Sequence, residues 1–311
     1  MSLLAPKLAI ISPCFNEEVI IQESAKKLLA VLDDLIQKSK IHPDSFIYFV
    51  NDGSTDKTWD LIEKLHVQDS RVKGLRLSRN FGQEHAVIAG LLSVRERADC
   101  FITINSDLQD DLSVMEKFID GFSQGYEVIY GVKKNPRKDS WYKRYGTALF
   151  NTMIKFLGVS NDSDFRLASR KAVDALVEFG EANIFLSGMF SLLGFKTTTM
   201  PYLIHERTGG QSKYSFKMLL ELAWDGITSF SIIPLRIITL IGFVVMMGAM
   251  TVMALTMVDI LANSLASWLL AAVLFVGGLQ IIGLGVVGEY IGKIYKETKA
   301  RPRFIKDVEL W

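Results

Sequence analysis

Ser45–Asp56 reads SFIYFVNDGSTD. Its first half is an apolar, aromatic and β-branched run, and its second half is a polar cluster rich in turn formers. A run this short, ended this sharply, has the pattern of a buried strand that stops at a loop. The same grammar recurs on both sides. KLAIISP (Lys7–Pro13) runs into Cys14-Phe15-Asn16-Glu17-Glu18, VKGLRL occupies Val72–Leu77, and CFITI (Cys100–Ile104) runs into Asn105-Ser106-Asp107-Leu108-Gln109-Asp110-Asp111. Helical patterns lie between these runs. In Glu23–Ser39 the residues Ala25, Leu28, Leu29, Leu32, Leu35 and Ile36 recur at helical spacing, and Asp56–His66 and Glu84–Arg95 are similar. Strand–helix alternation predicts βαβ units, hence an α/β domain with a mostly parallel, Rossmann-like sheet.

Sheets of this kind bind ligands at the carboxyl ends of their strands. Three of the four runs end in acidic clusters, around Glu17, Asp52 and Asp107. Gathered at one edge, these carboxylates repel one another and any phosphate. A divalent cation between carboxylate and diphosphate removes both conflicts, and Mg2+ or Mn2+ prefers such oxygen ligands. Asp52 or Glu17 can instead accept hydrogen bonds from a base or ribose. The chain has neither GxxxxGK[ST] nor GxGxxG, which counts against a P-loop nucleotidase and a dinucleotide enzyme.

Lys and Arg number 35 against 34 Asp and Glu, so the formal charge is +1, without the basic excess of a nucleic-acid binder. The mean hydropathy, +0.23, conceals an uneven distribution. The 52 residues Ile237–Gly288 carry one charge, Asp259, while the rest of the chain is about 26% charged, an ordinary soluble value. Ile237–Val258 and Ile260–Gly288 each exceed the roughly 20 residues that a spanning helix needs. They predict a two-helix hairpin around a short polar point, Asp259–Ser264, with both chain ends on one side. Lys293, Lys296, Lys299, Arg301, Arg303 and Lys306 follow it, and the positive-inside rule puts this tail and the large domain in the cytoplasm. Between Lys213 and Phe230 the residues Phe216, Leu219, Leu220, Ala223, Trp224 and Ile227 share one helical face, which suits a helix in the membrane interface or packed on the domain. Small residues in the spans, including Gly242, Gly248, Gly277 and Gly278, permit close helix packing and a homo-oligomer. Cys14 and Cys100 lack metal-site spacing and read as inert core thiols, and Met1–Lys7 does not read as a signal peptide. The expected divisions are a cytoplasmic catalytic domain at 1–212, an interfacial helix region at 213–233, two transmembrane helices within 234–290 and a basic tail at 291–311.

Taken together, PCFNEE, VNDGSTDKT, LSRNFGQEHA, SDLQDD, SDFRLASR, RTGGQSKYS and GEYIGKIYKETKARP resemble the polyprenyl-phosphate glycosyltransferases of glycosyltransferase family 2, over nearly the whole chain. The last motif, after a two-span hairpin, resembles the bactoprenol glucosyltransferase branch best, with dolichol-phosphate mannose synthases a wider relation. The resemblance implies a GT-A fold and transfer of a hexose, with inversion, from a nucleotide sugar to a polyprenyl phosphate at the cytoplasmic membrane face. UDP-glucose and undecaprenyl phosphate are the implied substrates. A GDP-mannose-using enzyme and a catalytically weak lipid-carrier scaffold stand as alternatives. By the same resemblance Pro13, Phe15, Glu17, Asp52, Gly53, Ser54 and Asn105 would hold the nucleotide sugar, and Asp107 and Gln109 the metal. Arg207, Ser212 and Lys213 would meet the diphosphate and lipid phosphate, and Arg137 and Arg144 the acceptor phosphate. Asp162 and Asp164 fall at a catalytic segment. Two departures stand out: Asn105 replaces the family's usual Asp, and Asn161-Asp162-Ser163-Asp164 replaces its Asp-Thr-Gly-Asp. Asn105 keeps a carbonyl oxygen for a metal but brings no charge.

Overall fold

Strands β1 (Leu8–Cys14) and β2 (Phe46–Asn51) are buried at every position, as strands covered by helices on both faces must be. Period-two alternation then divides their side chains between two cores. Leu8, Ile10, Ile47 and Phe49 enter one core, while Ala9, Ile11, Tyr48 and Val50 enter the other. A computed structural model describes residues 5–134, 164–180, 186–202, 265–299 and 301–311.

The first core is closed by α1 (Ile21–Gln37), α2 (Thr58–Gln68) and α4 (Val114–Ser123). The second is closed by α3 (Gln83–Val94), α5 (Arg170–Val177) and α6 (Leu186–Leu192). Helix α1 commits Ala25, Leu28, Leu32 and Leu35 to full burial, each large side chain contributing about 1.5–3 kcal/mol. Helix α3 lies so close to the sheet that a Cβ on Gly90 would stand 2.6 Å from Ile11 Cγ2 and 2.8 Å from Val50 Cγ2. Only glycine permits that approach.

The remaining strands are β3 (Val72–Leu77), β4 (Cys100–Thr103), β5 (Val128–Lys133), β6 (Arg166–Ser169), β7 (Thr197–Tyr202) and β8 (Lys306–Leu310). The sheet order is β7-β5-β6-β4-β1-β2-β3-β8. Strands β1 to β4 pair in parallel, as the alternation predicts. Strand β6 runs backwards between β4 and β5, and β8 runs backwards along β3. The reversal of β6 matters for the site. It sets Arg166, where the strand begins, beside Thr103, where β4 ends. Residues just before β6 therefore reach the same edge as the loops that follow β1, β2 and β4.

The chain divides into two units, Met1–Lys213 with Pro302–Trp311, and Tyr214–Arg301. The 291–311 stretch, expected as a basic tail, is split: Ile291–Thr298 continues a helix and Lys306–Leu310 is strand β8. Alternation explains the strand, because Val308 and Leu310 pack on the core while Lys306, Asp307 and Glu309 carry the polar positions. Tyr48 Oη donates to Glu309 Oε1 at 2.7 Å, and Trp311 meets Phe46 and Tyr48, each at a centroid distance of 5.6 Å. In the second unit the described element is α7 (Leu265–Thr298), 34 residues with no charged residue from Leu265 to Gly288. The expected first span, Ile237–Val258, and the amphipathic segment Lys213–Phe230 lie outside the described residues. No membrane span is established among the described residues.

Candidate active site

The loops after β1 and β2 are sewn together by short polar side chains. Asn16, at a positive φ of 53°, accepts from the Thr55 amide through Oδ1 at 2.9 Å, and its own amide donates to Ser54 Oγ at 2.9 Å. The Glu17 amide donates to Thr58 Oγ1 at 2.9 Å, and the Lys57 amide to Glu18 Oε2 at 3.0 Å. Asn51 Oδ1 accepts from the Ser54 amide at 2.8 Å and shapes the turn, while its buried Nδ2 has no hydrogen-bond partner. Gly53 sits at φ 66°, and a Cβ there would stand 2.3 Å from the Arg79 carbonyl carbon. Of the residues expected to hold the nucleotide sugar, Pro13 is buried within β1, Ser54 ties the loop after β2 to Asn16 between Phe15 and Glu17, and Gly53 packs against the backbone after β3.

Asp52 is turned towards the loop between β3 and α3. Its Oδ1 accepts from the Phe81 amide at 2.7 Å and its Oδ2 from the Gly82 amide at 2.9 Å. It is only 3% exposed. Burial raises its pKa, against the pull of those two amides and of His85 and Arg79. In this geometry the carboxylate holds the entry to α3.

That loop delivers Gln83, the first residue of α3. Gln83 Nε2 donates to Asn105 Oδ1 at 2.9 Å and to Asp164 Oδ2 at 3.2 Å. One amide thereby joins the loop after β4 to the residue before β6. Thr103 Oγ1 donates to the Asp164 carbonyl at 2.7 Å, fixing the backbone there as well. Behind Asp164 lies Arg166, 1% exposed, with Nη2 3.8 Å from Asp164 Oδ1 and donating to Ser187 Oγ at 3.1 Å. Sequence reading placed Asp164 at the site but not the glutamine that ties it to Asn105. LSRNFGQEHA contains that glutamine, yet nothing local to it specifies partners 22 and 81 residues away.

Asp107 and Gln109 sit half-buried on the same loop, where the Gln109 amide lies 3.5 Å from Asp107 Oδ1. Leu108 between them adopts φ 45°, a left-handed conformation uncommon for a γ-branched residue. Asp110 is buried and accepts from Tyr202 Oη at 2.6 Å. Burial raises the Asp110 pKa and the nearby Asp107 and Asp164 carboxylates add to it, while Tyr202 and Lys133 oppose. Three carboxylates from two chain segments thus share one field. Asp107, Gln109 and Asn105 offer oxygen donors of the kind that Mg2+ or Mn2+ accepts. Among the described residues no group of three His, Cys, Asp or Glu is arranged to hold a metal ion. Asp162, Arg137, Arg144, Arg207, Ser212 and Lys213 lie outside the described residues. Cys14 and Cys100 are buried, and burial pushes both thiol pKa values up, as inert core thiols require.

A mostly parallel sheet with acidic loops at the carboxyl edge, met there by a backward strand, has the layout of a GT-A-type α/β domain. Comparison with known proteins narrows the class. The family described as Glycosyl transferase family 2 matches residues 9–183. The chain is 40% identical over 312 residues to the uncharacterized glycosyltransferase YkoT of Bacillus subtilis (strain 168), covering 98% of this chain and 93% of the relative. It is 36% identical to the prophage bactoprenol glucosyl transferase homolog of Escherichia coli (strain K12), covering 96% and 98%. It is 35% identical to the bactoprenol glucosyl transferase of Shigella phage SfX, again covering 96% and 98%. The chain belongs to glycosyltransferase family 2.

Proposed function

We propose that this glycosyltransferase moves glucose from UDP-glucose to undecaprenyl phosphate, with inversion, at the cytoplasmic face of the inner membrane. One observation carries the reading: similarity to relatives named bactoprenol glucosyl transferase over 96% of the chain, well beyond the 9–183 catalytic match. A purely soluble acceptor would leave the uncharged Leu265–Gly288 stretch without a purpose. In sequence its 24 uncharged residues exceed the roughly 20 that a spanning helix needs. We read it as the second membrane span, with Ile237–Val258 as the first, in a multi-pass protein with both ends cytoplasmic.

The chemistry follows from charge. Transfer gives the anomeric carbon oxocarbenium character and leaves negative charge on the departing diphosphate. A phosphate monoester with a second pKa of about 6 is mostly dianionic near neutrality, so the acceptor needs little proton removal. Alignment and charge neutralisation then outweigh general-base catalysis. Mg2+ or Mn2+ would be held by Asp107 with Gln109 and the Asn105 carbonyl, and when bound supplies positive charge to the diphosphate. That set holds one matched carboxylate, Asp107. Gln83 keeps Asn105 and Asp164 in fixed relation, and buried Arg166 offsets the charge of Asp164. Arg207, Lys213, Arg137, Arg144 and Ser212 are assigned to the phosphates by family resemblance.

A donor panel tests the reading. UDP-glucose, UDP-galactose, UDP-N-acetylglucosamine and GDP-mannose are each supplied with undecaprenyl phosphate and either metal. The expected result is lipid-linked glucose from UDP-glucose above all others. Preferential transfer of mannose overturns the donor assignment, and no lipid product from any donor overturns the reaction.

A further inference from the structure

At the edge of the sheet opposite the transfer site lies a cleft of about 880 Å³. It is framed by the residues that precede β1, β2 and β3 and by Trp311 after β8. Five of its lining residues are cationic, Lys7, Arg71, Lys73, Arg97 and Arg170, against two acids, Asp44 and Glu96. The cations divide into two sets. Arg71 is neutralised by Asp33 at 2.5 Å and Asp69 at 2.7 Å, and Arg170 stands 3.6 Å from Asp99. Lys7, Lys73 and Arg97 lie against aromatic rings, and Arg97 also feels the Glu309 carboxylate. The Arg97 guanidinium lies 3.5 Å from the centre of the Trp311 ring, Lys73 Nζ lies 5.5 Å from the same ring, and Lys7 Nζ lies 5.8 Å from Phe46. The nearby acids also hold other partners, and the Glu309 carboxylate partly offsets Arg97. Glu309 Oε1 accepts from both Tyr48 and Trp311, Glu96 is near Arg95, and Asp99 accepts from the Lys7 amide.

Three cations facing one concave place, with only Arg97 partly offset by Glu309 among the described residues, are costly without an anion. Lys73 registers that cost, because partial burial and then repulsion from Arg97 and Lys7 lower its pKa. Stacking on Trp311 occupies only the face of the Arg97 guanidinium. The N–H groups in its plane remain available for a planar, bidentate grip on oxygens. A tetrahedral, multiply charged oxyanion suits this set; an apolar or cationic ligand does not.

We propose that this cleft binds a phosphate group, at a site separate from the transfer site and independent of the donor and acceptor assigned above. The phosphate is that of a soluble phosphate ester or of an anionic lipid headgroup, and the arms of the test distinguish the two.

Calorimetric titration of the full-length protein in neutral detergent uses inorganic phosphate in one arm and dihexanoyl phosphatidic acid in the other. Wild type is compared with Lys73→Met and Arg97→Gln, with Lys73→Arg as the charge-preserving control. Each charge-removing variant is expected to weaken binding about tenfold in at least one arm, with the control near wild type. Loss with inorganic phosphate assigns a soluble ligand, and loss confined to the lipid assigns a headgroup. Equal affinities for wild type and both variants in both arms overturn the proposal, as does equal weakening by Lys73→Arg and Lys73→Met. Lys7→Gln, at a position before β1 begins, replaces any variant that fails to fold and is expected to weaken binding in the same arm.

Discussion

Replacing Asp52 by alanine separates two roles for this residue. The structure gives its carboxylate two backbone partners, Phe81 at 2.7 Å and Gly82 at 2.9 Å, in a place only 3% exposed. Asp52→Ala leaves both amides without an acceptor, at about 1–3 kcal/mol each. Removing a carboxylate that resists burial returns part of that cost. The net loss is about 2–4 kcal/mol, and for a domain of this size that lowers Tm by roughly 5–15 °C. The damage extends to the site, because the freed loop carries Gln83, which holds Asn105 and Asp164. Thermal unfolding of the purified protein, with and without UDP-glucose, gives the first readout, and donor KM and kcat give the second. The expected result is a large fall in Tm with a fall in kcat, and Asp52→Asn falling between, since its single carbonyl can accept from one amide. A donor KM raised many-fold with Tm changed by less than about 1 °C would refute the reasoning and make Asp52 a direct nucleotide ligand.

Four further outcomes follow from the same geometry. Gln83→Ala should cut kcat about tenfold, the equivalent of about 1.4 kcal/mol, while leaving Tm nearly unchanged, because it loses two hydrogen bonds at a half-buried position. An unaltered kcat would mean that the link between Asn105 and Asp164 is incidental. Asp110→Asn should flatten the pH dependence of stability. Burial keeps the Asp110 pKa above its ordinary value of about 3.9, so the folded state holds this proton to higher pH than the unfolded chain. Stability conferred by the protonated form is therefore complete at low pH and is lost as pH rises through the raised value. Parallel Tm profiles for wild type and Asp110→Asn would reject this. Asp107→Ala should abolish transfer, and Asn105→Asp should tighten the metal requirement by restoring a charge. Normal turnover by the first, or identical Mg2+ titrations for the second and wild type, would remove the metal assignment.

Strands β1, β2 and β4 were legible because strands covered on both faces are mostly apolar runs, and Val72–Leu77, where half-buried Lys73 and Arg76 interrupt the apolar residues, matches β3 to the residue. Helix α1 was legible because its buried residues repeat at helical spacing. Strand β8 was hidden by its setting: KDVEL alternates, but among basic residues, and its partner strand lies more than 200 residues earlier. Strand β6 has only four residues, too few to establish a period, yet its reversal is what carries Asp164 to the active edge. The site divides in the same way. Polar clusters at strand ends are visible as residue types, and they did converge on one edge. The direction of each side chain is a tertiary fact. Asp110 and Asp111 are adjacent and chemically identical in sequence, but only Asp110 is buried against Tyr202. VNDGSTD announces a turn without disclosing that Asp52 spends its carboxylate on the loop after β3.

On the proposed reading, the acidic edge of this sheet transfers glucose to a lipid phosphate. The most direct measurement incubates the purified full-length protein with radiolabelled UDP-glucose, undecaprenyl phosphate and Mg2+ or Mn2+, followed by organic extraction and chromatography. The expected result is label in a lipid of acid-labile, phosphate-linked glucose, lost on addition of EDTA and absent with Asp107→Ala. Full-length protein that binds UDP-glucose but yields no labelled lipid under either metal would contradict it.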